Sequence, residues 1–207
     1  SPCLAADVSD VASLPGLVQR VAPSLVVNAS AYTAVDKAED EPALAQRINA
    51  EAPGALAQAC AAASIGLVHF STDYVFDGMG QRPYREDDAT APLGVYGASK
   101  LAGELAVRAS GAAHKIFRLS WVYGPRGGNF LLTMLRLARE RGQVRVVADQ
   151  VGAPTSALRI ARCVSEAISR RPEASGTWHL ASGGETSWHG FADAIFSEAV
   201  ARGLLAQ

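Results

Sequence analysis

The sequence lacks several features that mark specialised classes of protein. It has only three cysteines, and Cys3, Cys60 and Cys163 stand too far apart for a disulfide framework or a zinc pattern. Lys and Arg number 19 against 20 for Asp and Glu, so no basic excess supports general binding to nucleic acid. No apolar run approaches the roughly 20 residues that a membrane-spanning helix needs. These absences favour reduced thiols in a cytoplasmic protein without nucleic-acid or membrane partners.

What the sequence does contain is a regular alternation of short apolar runs with longer helical patterns. Hydrophobic residues make up 49% of the chain, which is too many for a disordered one. Strands are predicted at 25–28, 66–70, 115–119, 144–147 and 177–180. Helices are predicted at 10–21, 43–63, 96–110, 129–141, 156–170 and 188–202, with irregularities at Pro15 and at Pro53-Gly54.

Strands separated by helices of this length predict βαβ units and a mainly parallel α/β sheet. The stretch 77–94 holds several glycines and prolines among acidic residues and is expected to be a long loop bordering a site. The glycine-rich turn that normally opens a nucleotide-binding sheet of this kind does not occur in the sequence.

The most informative short motif is Tyr96-Gly97-Ala98-Ser99-Lys100. Residues four apart share one face of a helix, and a lysine ammonium one turn from a phenol stabilises the phenolate. The phenol pKa is then expected to fall from about 10 towards working pH, where the group exchanges a proton with a carbonyl or alcohol. A solvated helix face with no chemical role is the alternative interpretation of such a pair.

A second polar motif directly follows a predicted strand. Ser71, Thr72 and Asp73 come after the run 66–70, and ligands gather at the carboxyl ends of parallel strands. A hydroxyl, a phenol and a lysine together can polarise a carbonyl while hydride arrives. The alternative is that these side chains only satisfy backbone groups of the loop.

Longer stretches around these residues resemble the dTDP-4-dehydrorhamnose reductase family, within the extended short-chain dehydrogenase/reductase superfamily. The resemblance covers the chain from about Asp7 to Arg202. Beyond the Tyr96 and Lys100 pair, it rests on the stretches 27–39, 71–78, 92–97, 117–123, 128–130, 149–155 and 179–191.

The resemblance implies a role for each matching residue. Tyr96 is implied to be the proton donor, Lys100 to bind the nicotinamide ribose and lower the Tyr96 pKa, and Thr72 to hydrogen-bond near the substrate carbonyl. The implied contacts to the cofactor, NADPH or NADH, are Asp7, Val8, Ala31, Tyr32, Thr33, Phe70, Tyr96 and Lys100. The implied contacts to the substrate are Thr72, Asp73 and Trp121.

Several of these residues also have plain structural interpretations. Trp121 ends a buried strand and could be part of the core, and Asp7 could cap the helix that starts near Asp10. Tyr32 and Thr33 could serve only to pack a loop. Asn129, within the matching stretch 128–130, has the character of a helix N-cap as much as that of a ligand contact.

The fold implied by the resemblance is a Rossmann-like doubly wound parallel sheet with a small C-terminal substrate lobe, truncated at both ends. We expect 1–125 to form an NAD(P)-binding domain that lacks its first strand and glycine-rich loop. We expect 126–207 to contribute to both the substrate lobe and the sheet. The sequence is therefore expected to be the middle of a longer chain.

The implied reaction is the NAD(P)H-dependent reduction of dTDP-4-dehydro-L-rhamnose to dTDP-L-rhamnose, a precursor of cell-surface polysaccharide. One alternative is a nucleotide-sugar epimerase or dehydratase of the same superfamily. Another is a non-catalytic regulatory homologue of methionine adenosyltransferase, against which the intact Thr72, Tyr96 and Lys100 argue. The resemblance also implies a homodimer and magnesium, although no metal ligand can be assigned in this sequence.

Overall fold

The computed structural model describes residues 3–141 and 143–205, which form two compact units. The first unit runs through Arg118 and also includes Glu173–His179. The second comprises Leu119–Pro172 and the described residues from Leu180 onwards. In these ranges no helix is long and apolar enough to cross a membrane. The expected division into an NAD(P)-binding domain at 1–125 and a second segment at 126–207 describes functional domains and stays a prediction.

A four-stranded parallel sheet in the order β1-β2-β3-β7 forms the centre of the first unit. β1 and β2 pair in parallel with Asn28 opposite His69, so both strands end at the same edge. The predicted parallel α/β sheet is therefore confirmed. The strands, numbered along the chain, are β1 (Leu25–Asn28), β2 (Gly66–Thr72), β3 (His114–Leu119), β4 (Val122–Tyr123), β5 (Val151–Gly152), β6 (Thr155–Ser156), β7 (Gly176–Leu180) and β8 (Thr186–Ser187).

The helices lie close to the predicted positions. They are α1 (Leu14–Val21), α2 (Pro42–Gln46), α3 (Ala52–Ala62), α4 (Val95–Ala109), α5 (Phe130–Glu140), α6 (Ala157–Arg170) and α7 (Trp188–Ala201). Pro15 lies in the first turn of α1, where a missing backbone N–H costs nothing, so it does not kink the helix. A short 3-10 helix, Val11–Ser13, precedes it.

The helical stretch that includes Pro53 is irregular, as predicted, but at a slightly earlier position. A π-helical turn, Arg47–Glu51, separates α2 from α3. Pro53 has no N–H to give to the Asn49 carbonyl, and the widened turn lies immediately before it. Gly103 of α4 approaches that same carbonyl so closely that a Cβ would lie 2.1 Å from the oxygen. The turn therefore lies directly against α4.

The core of the first unit is the apolar layer between the sheet and helices α3 and α4. Leu67 of β2 and Ile116 of β3 pack with Ala57 and Cys60 of α3 and with Val107 of α4. Burial of each Leu or Ile side chain contributes about 1.5–3 kcal/mol. A second cluster, of Leu14, Val18, Ala52 and Leu56, joins α1 to α3.

A buried ion pair fixes α4 to the sheet. Glu104 is fully buried and accepts two hydrogen bonds from Arg118 of β3, from Nε at 2.9 Å and from Nη2 at 2.8 Å. Arg108, whose side chain is partly exposed, donates a third hydrogen bond to Glu104 at 2.9 Å. Arg118 also donates to the Glu86 carbonyl, while the Glu86 carboxylate accepts the His179 N–H of β7. The pair thus joins α4, two strands and the loop 77–94.

The loop 77–94 is long, as predicted, and is bonded largely to itself. The Tyr84 ring stacks on Phe76 with a centroid separation of 4.4 Å, and its hydroxyl donates to Asp77. Arg82 binds both carboxylate oxygens of Asp88, at 2.7 and 2.8 Å. These contacts give the loop a defined conformation ahead of α4.

In residues 119–141, 143–172 and 180–205, the described part of the second unit, there are three helices and two small sheets. β4 pairs with β6 in parallel, and β5 pairs with β8 antiparallel. Asn129, Ser156 and Ser187 precede α5, α6 and α7, and each side chain accepts a backbone N–H from the first turn of its helix. The N-cap interpretation of Asn129 is therefore confirmed. Met134 and Ile195 belong to the apolar cluster between α5 and α7.

The predicted strand at 144–147 is wrong. Val144 and Val146 are half-buried against the α5 and α7 cluster while Arg145 and Val147 are exposed, which produces the alternation expected of a strand. The segment nevertheless has no ladder with another described strand; the Val147 carbonyl instead accepts the His189 N–H at the start of α7. One-sided burial alone does not make a strand without a pairing partner.

The buried ion pair predicts a large loss of stability when Arg118 is replaced. Arg118→Leu leaves the buried Glu104 carboxylate without its bidentate partner, and we expect the free energy of unfolding to fall by about 3–5 kcal/mol. Arg136→Leu is the matched control, because Arg136 pairs with Glu140 on an exposed helix face and should change stability by less than about 1 kcal/mol. Urea unfolding of both variants measures the difference, and equal losses would contradict the assigned role.

Candidate active site

The carboxyl end of β2 and the first turns of α4 bring polar side chains together. Thr72 ends β2 and caps the 3-10 turn Asp73–Val75, where its hydroxyl accepts the Tyr74 N–H at 3.2 Å and donates to Asp73 at 3.0 Å. Tyr96 is the second residue of α4, and its ring meets the Tyr74 ring edge-on at 5.5 Å. Thr72 also lies beside Tyr96 and lowers the pKa of its phenol.

Lys100 lies one helical turn after Tyr96, on the same face of α4. Its side chain is buried, and Nζ donates to the Phe70 carbonyl of β2 at 2.6 Å. The helix can come this close because position 97 is glycine: a Cβ there would lie 2.2 Å from the Tyr74 carbonyl oxygen. The solvated-face interpretation of the Tyr96 and Lys100 pair is thus wrong, since the sheet covers the lysine.

A carboxylate marks the N-terminus of α4. Glu39, at the end of the 3-10 helix Asp36–Glu39, accepts the Val95 N–H at 2.8 Å. A carboxylate at this position satisfies a free backbone donor and interacts favourably with the helix dipole. Glu39 therefore helps to fix the turn of helix that carries Tyr96.

Burial dominates the electrostatics of Tyr96 and Lys100. It raises the pKa of Tyr96 to about 12, against a smaller opposing effect of Thr72. It lowers the pKa of Lys100 to about 8, while attraction to Glu104 acts in the other direction. The pKa of Tyr96 thus rises, whereas the sequence predicted a fall. The reason is that desolvation destabilises the phenolate by more than the surrounding groups stabilise it. The free protein therefore holds Tyr96 as a protonated phenol.

The segment 29–35, which follows β1, is held to α4 by a single amide. Asn49 is 1% exposed, and its Oδ1 accepts the Tyr32 N–H at 2.8 Å while its Nδ2 donates to the Tyr32 carbonyl at 3.1 Å. The same Nδ2 donates to Ser99 Oγ at 3.0 Å, and Ser99 in turn donates to the Tyr96 carbonyl at 2.8 Å. Asn49 thus connects the expected cofactor segment to the helix turn of Tyr96.

The first unit contains all the predicted site residues except Trp121. Ala31 and Tyr32 are half-buried and Thr33 is exposed in the segment after β1. Asp7 is exposed and accepts the Ser9 N–H at 2.8 Å, while its carbonyl accepts the Asp10 N–H. The interpretation of Asp7 as a helix cap is wrong, because the N-cap of the 3-10 helix Val11–Ser13 is Asp10 and the Asp7 carboxylate accepts only from Ser9, in the turn before it.

The remaining two predicted contacts have clear packing partners. Val8 packs against the cluster of Leu14 and Val18. Trp121 lies in the second unit, between β3 and β4, and stacks on Trp188. Their contacts to ligands stay predictions.

The family model described as the RmlD substrate binding domain matches residues 3–206. The chain is 48% identical over 201 residues to dTDP-4-dehydrorhamnose reductase of Shigella flexneri, covering 96% of this chain and 67% of the relative. The chain belongs to the dTDP-4-dehydrorhamnose reductase family. The reductase of Burkholderia thailandensis is 51% identical over 197 residues, covering 92% of this chain and 66% of that one.

A solved structure shows the same fold. The crystal structure of the Bacillus anthracis dTDP-4-dehydrorhamnose reductase in complex with NADP matches with a TM-score of 0.89 and 40% identity. The match covers 93% of this chain and 68% of that one. The chain thus spans about two thirds of the length of these reductases, and the Rossmann-like fold implied by the resemblance is confirmed.

Sequence reasoning missed the residues that hold the site in place. Asn49 stands in an alanine-rich helix, where a lone polar residue among small apolar ones could have signalled a buried hydrogen-bonding role. Glu39 lies within a stretch that carried the resemblance, yet nothing local shows that it caps a helix 56 positions later. Glu104 and Arg118 look like ordinary charged residues of a helix and a strand end.

The position of Asn49 predicts a stability loss with a simple control. Asn49→Leu leaves the Tyr32 N–H and carbonyl without their partner, and we expect the free energy of unfolding to fall by at least about 1–3 kcal/mol. Gln46→Leu, on an exposed position of the same helical stretch, should stay within about 0.5 kcal/mol. Urea unfolding tests both variants. An effect of Asn49→Leu no larger than that of Gln46→Leu would contradict the structural role assigned to Asn49.

The low pKa of Lys100 predicts a pH-dependent stability difference. Because the folded-state pKa is about 8 and the usual value is 10.5, the unfolded chain binds more protons between these values. The wild type therefore gains stability as pH rises through this window. Lys100→Met should be more stable than the wild type at about pH 7, and its advantage should shrink by about pH 10.

Urea unfolding at the two pH values measures this change. Lys37→Met provides the control, since Lys37 is exposed and its hydrogen bond to Glu41 raises its pKa above the window. A stability difference between wild type and Lys100→Met that stays constant from about pH 7 to about pH 10 would show that Lys100 titrates normally.

Proposed function

We propose that the protein catalyses the reduction of dTDP-4-dehydro-L-rhamnose to dTDP-L-rhamnose with NADPH or NADH. The observation that carries this proposal is the arrangement of Thr72, Tyr96 and Lys100 at the carboxyl end of β2, in a chain of this reductase family. A phenol and a threonine hydroxyl close to a buried lysine suit the reduction of a carbonyl.

The residues present fit a nicotinamide cofactor. Lys100 has three N–H groups, and among the described residues the Phe70 carbonyl accepts one of them. The remaining donors match the hydroxyl pair of a ribose. When bound, the cofactor supplies the hydride. We propose that Lys100 and Phe70 hold its nicotinamide end and that Asp7, Val8, Ala31, Tyr32 and Thr33 hold the rest.

Tyr96 is proposed to donate the proton. Burial keeps its phenol protonated at neutral pH, which is the state that a general acid needs. As the C4 carbonyl gains hydride, the Tyr96 hydroxyl proton passes to the developing alkoxide oxygen. Thr72 lowers the Tyr96 pKa, which favours the phenolate that remains.

Thr72 is also proposed to orient the substrate carbonyl, because it stands at the end of β2 and influences the pKa of Tyr96. Lys100 keeps positive charge near the reacting groups, and its attraction to Glu104 opposes the loss of that charge on burial. Asp73 and Trp121 are proposed to contact the nucleotide sugar. The homodimer and the magnesium implied by the family stay predictions.

A cytoplasmic location is also part of the proposal. Cys3, Cys60 and Cys163 are all free thiols in the structure, and burial raises the pKa of Cys60, which makes it less reactive. Free thiols are typical of proteins in a reducing compartment. The nucleotide-sugar substrate belongs to the same compartment in this proposal.

The proposed proton donor predicts a specific loss of turnover. Tyr96→Phe removes the hydroxyl and should lower kcat by about 100-fold or more, while affinity for the nicotinamide cofactor stays close to that of the wild type. Oxidation of NADPH and NADH, followed by absorbance with dTDP-4-dehydro-L-rhamnose as substrate, measures turnover. Cofactor binding is measured separately by fluorescence titration.

Tyr123→Phe is the matched control, because Tyr123 lies in the second unit with its ring against Phe191 and should keep full turnover. Turnover retained in Tyr96→Phe would overturn the assignment of the proton donor. A wild-type chain that oxidises neither nucleotide with this substrate would overturn the proposed reaction itself.

A further inference from the structure

Trp121 has a backbone conformation that needs an explanation. Among the described residues other than glycine, Ala22, Ser64 and Trp121 have positive φ, and the value at Trp121 is 44°. Ala22 follows α1 directly and Ser64 lies two residues after the end of α3, where such a conformation commonly ends a helix. Trp121 lies between two strands. A bulky residue in this region costs about 1–3 kcal/mol, so contacts around it must hold it there.

The main contact is a second tryptophan. The rings of Trp121 and Trp188 stack with centroids 3.5 Å apart and planes 9° from parallel. Trp188 is itself held: its indole N–H donates to Gln150 at 3.2 Å, and the Phe130 ring packs on it at 4.5 Å. Trp188 is therefore a fixed surface against which Trp121 lies.

A glycine forms another side of the same packing. A Cβ at Gly152 would lie 2.5 Å from Cε2 of Trp121, too close for any side chain. Gly152 is in β5 and pairs with Thr186 of β8, two residues before Trp188. The short β5–β8 sheet thus brings both Gly152 and Trp188 against the Trp121 indole.

The two indoles differ in one chemical respect. The N–H of Trp188 is used by Gln150, whereas the N–H of Trp121 has no hydrogen-bond partner within residues 3–141 and 143–205. Trp121 is only half-buried. It therefore presents a free donor and an aromatic ring, while Trp188 has its donor occupied and supplies support.

We infer that Trp188 and Gly152 are positioning residues that orient the Trp121 indole for contact with the nucleotide part of the sugar substrate. This inference rests on the proposed function, in which Trp121 touches the nucleotide sugar. Trp188 supports the ring from its face and Gly152 leaves room at its edge. Neither residue needs to touch the ligand for the orientation to matter.

The test measures the indole pair and ligand binding separately in the full chain. Two stacked indoles give a pair of circular-dichroism bands of opposite sign, and calorimetric titration with dTDP reports binding of the nucleotide. Trp188→Leu should abolish the band pair and weaken dTDP binding about threefold to tenfold. Trp188→Phe keeps an aromatic face and should bind dTDP with intermediate affinity.

Gly152→Ala tests the same inference with Trp188 intact. The added Cβ must displace the Trp121 ring, so the band pair should change and dTDP binding should weaken. Trp178→Phe is the control, since Trp178 packs on Phe117 in the first unit and should leave both measurements unchanged.

The outcomes separate this inference from the proposed function. If Trp121→Leu weakens dTDP binding but Trp188→Leu and Gly152→Ala do not, the positioning role alone is overturned. If the wild type does not bind dTDP, or Trp121→Leu binds it as tightly as the wild type does, the substrate contact assigned to Trp121 fails, and the inference fails with it.

Discussion

The fully buried carboxylate of Glu104 is the contact on which the arrangement of the first unit depends. It joins α4 to Arg118 of β3, and through Arg118 it reaches the loop 77–94. A charge in this position is tolerated only because two guanidinium groups surround it. Once α4 is fixed there, Gly97 and Gly103 allow its backbone to touch the neighbouring turns, and the residues on its inner face are presented to the end of β2.

Burial on the inner face of α4 also sets the protonation of Tyr96 and Lys100. Tyr96 and Lys100 are shifted in opposite directions, since water stabilises the phenolate and the ammonium and the fold removes that water. A lysine one turn away is commonly taken as enough to lower a tyrosine pKa. In the free protein desolvation instead raises the pKa of Tyr96, and the opposing effect comes from Thr72, so a neutral phenol is favoured over a preformed phenolate.

The parts of the site that depend on local geometry could be predicted from the sequence. The four-residue helical spacing predicted that Tyr96 and Lys100 share one face of α4, and the run of polar residues after 66–70 predicted that Thr72 lies at the end of β2; their chemical roles stay predictions. In contrast, Asn49 donates a hydrogen bond to Ser99, which lies 50 positions later in the sequence. The periodicity of a sequence cannot predict such a long-range contact. The strand prediction at 144–147 was wrong for the same reason. The segment does alternate between half-buried and exposed residues, but a strand also needs a pairing partner, which a local pattern does not reveal.

The second unit shows how several weak contacts can hold a costly conformation. The positive φ of Trp121 costs about 1–3 kcal/mol, whereas one aromatic pair contributes about 0.5–1.5 kcal/mol beyond the area that it buries. Stacking on Trp188 therefore does not offset the strain alone. The Thr155 N–H donates to the Trp121 carbonyl at 3.2 Å, and Gly152 packs against the ring edge. Each of these contacts comes from a different element: Thr155 from β6, Gly152 from β5 and Trp188 from the start of α7. The stretch 149–155 therefore contacts Trp121 both at its backbone and at its ring. Because Trp121 would not adopt this conformation by itself, loss of any one contact should release the indole.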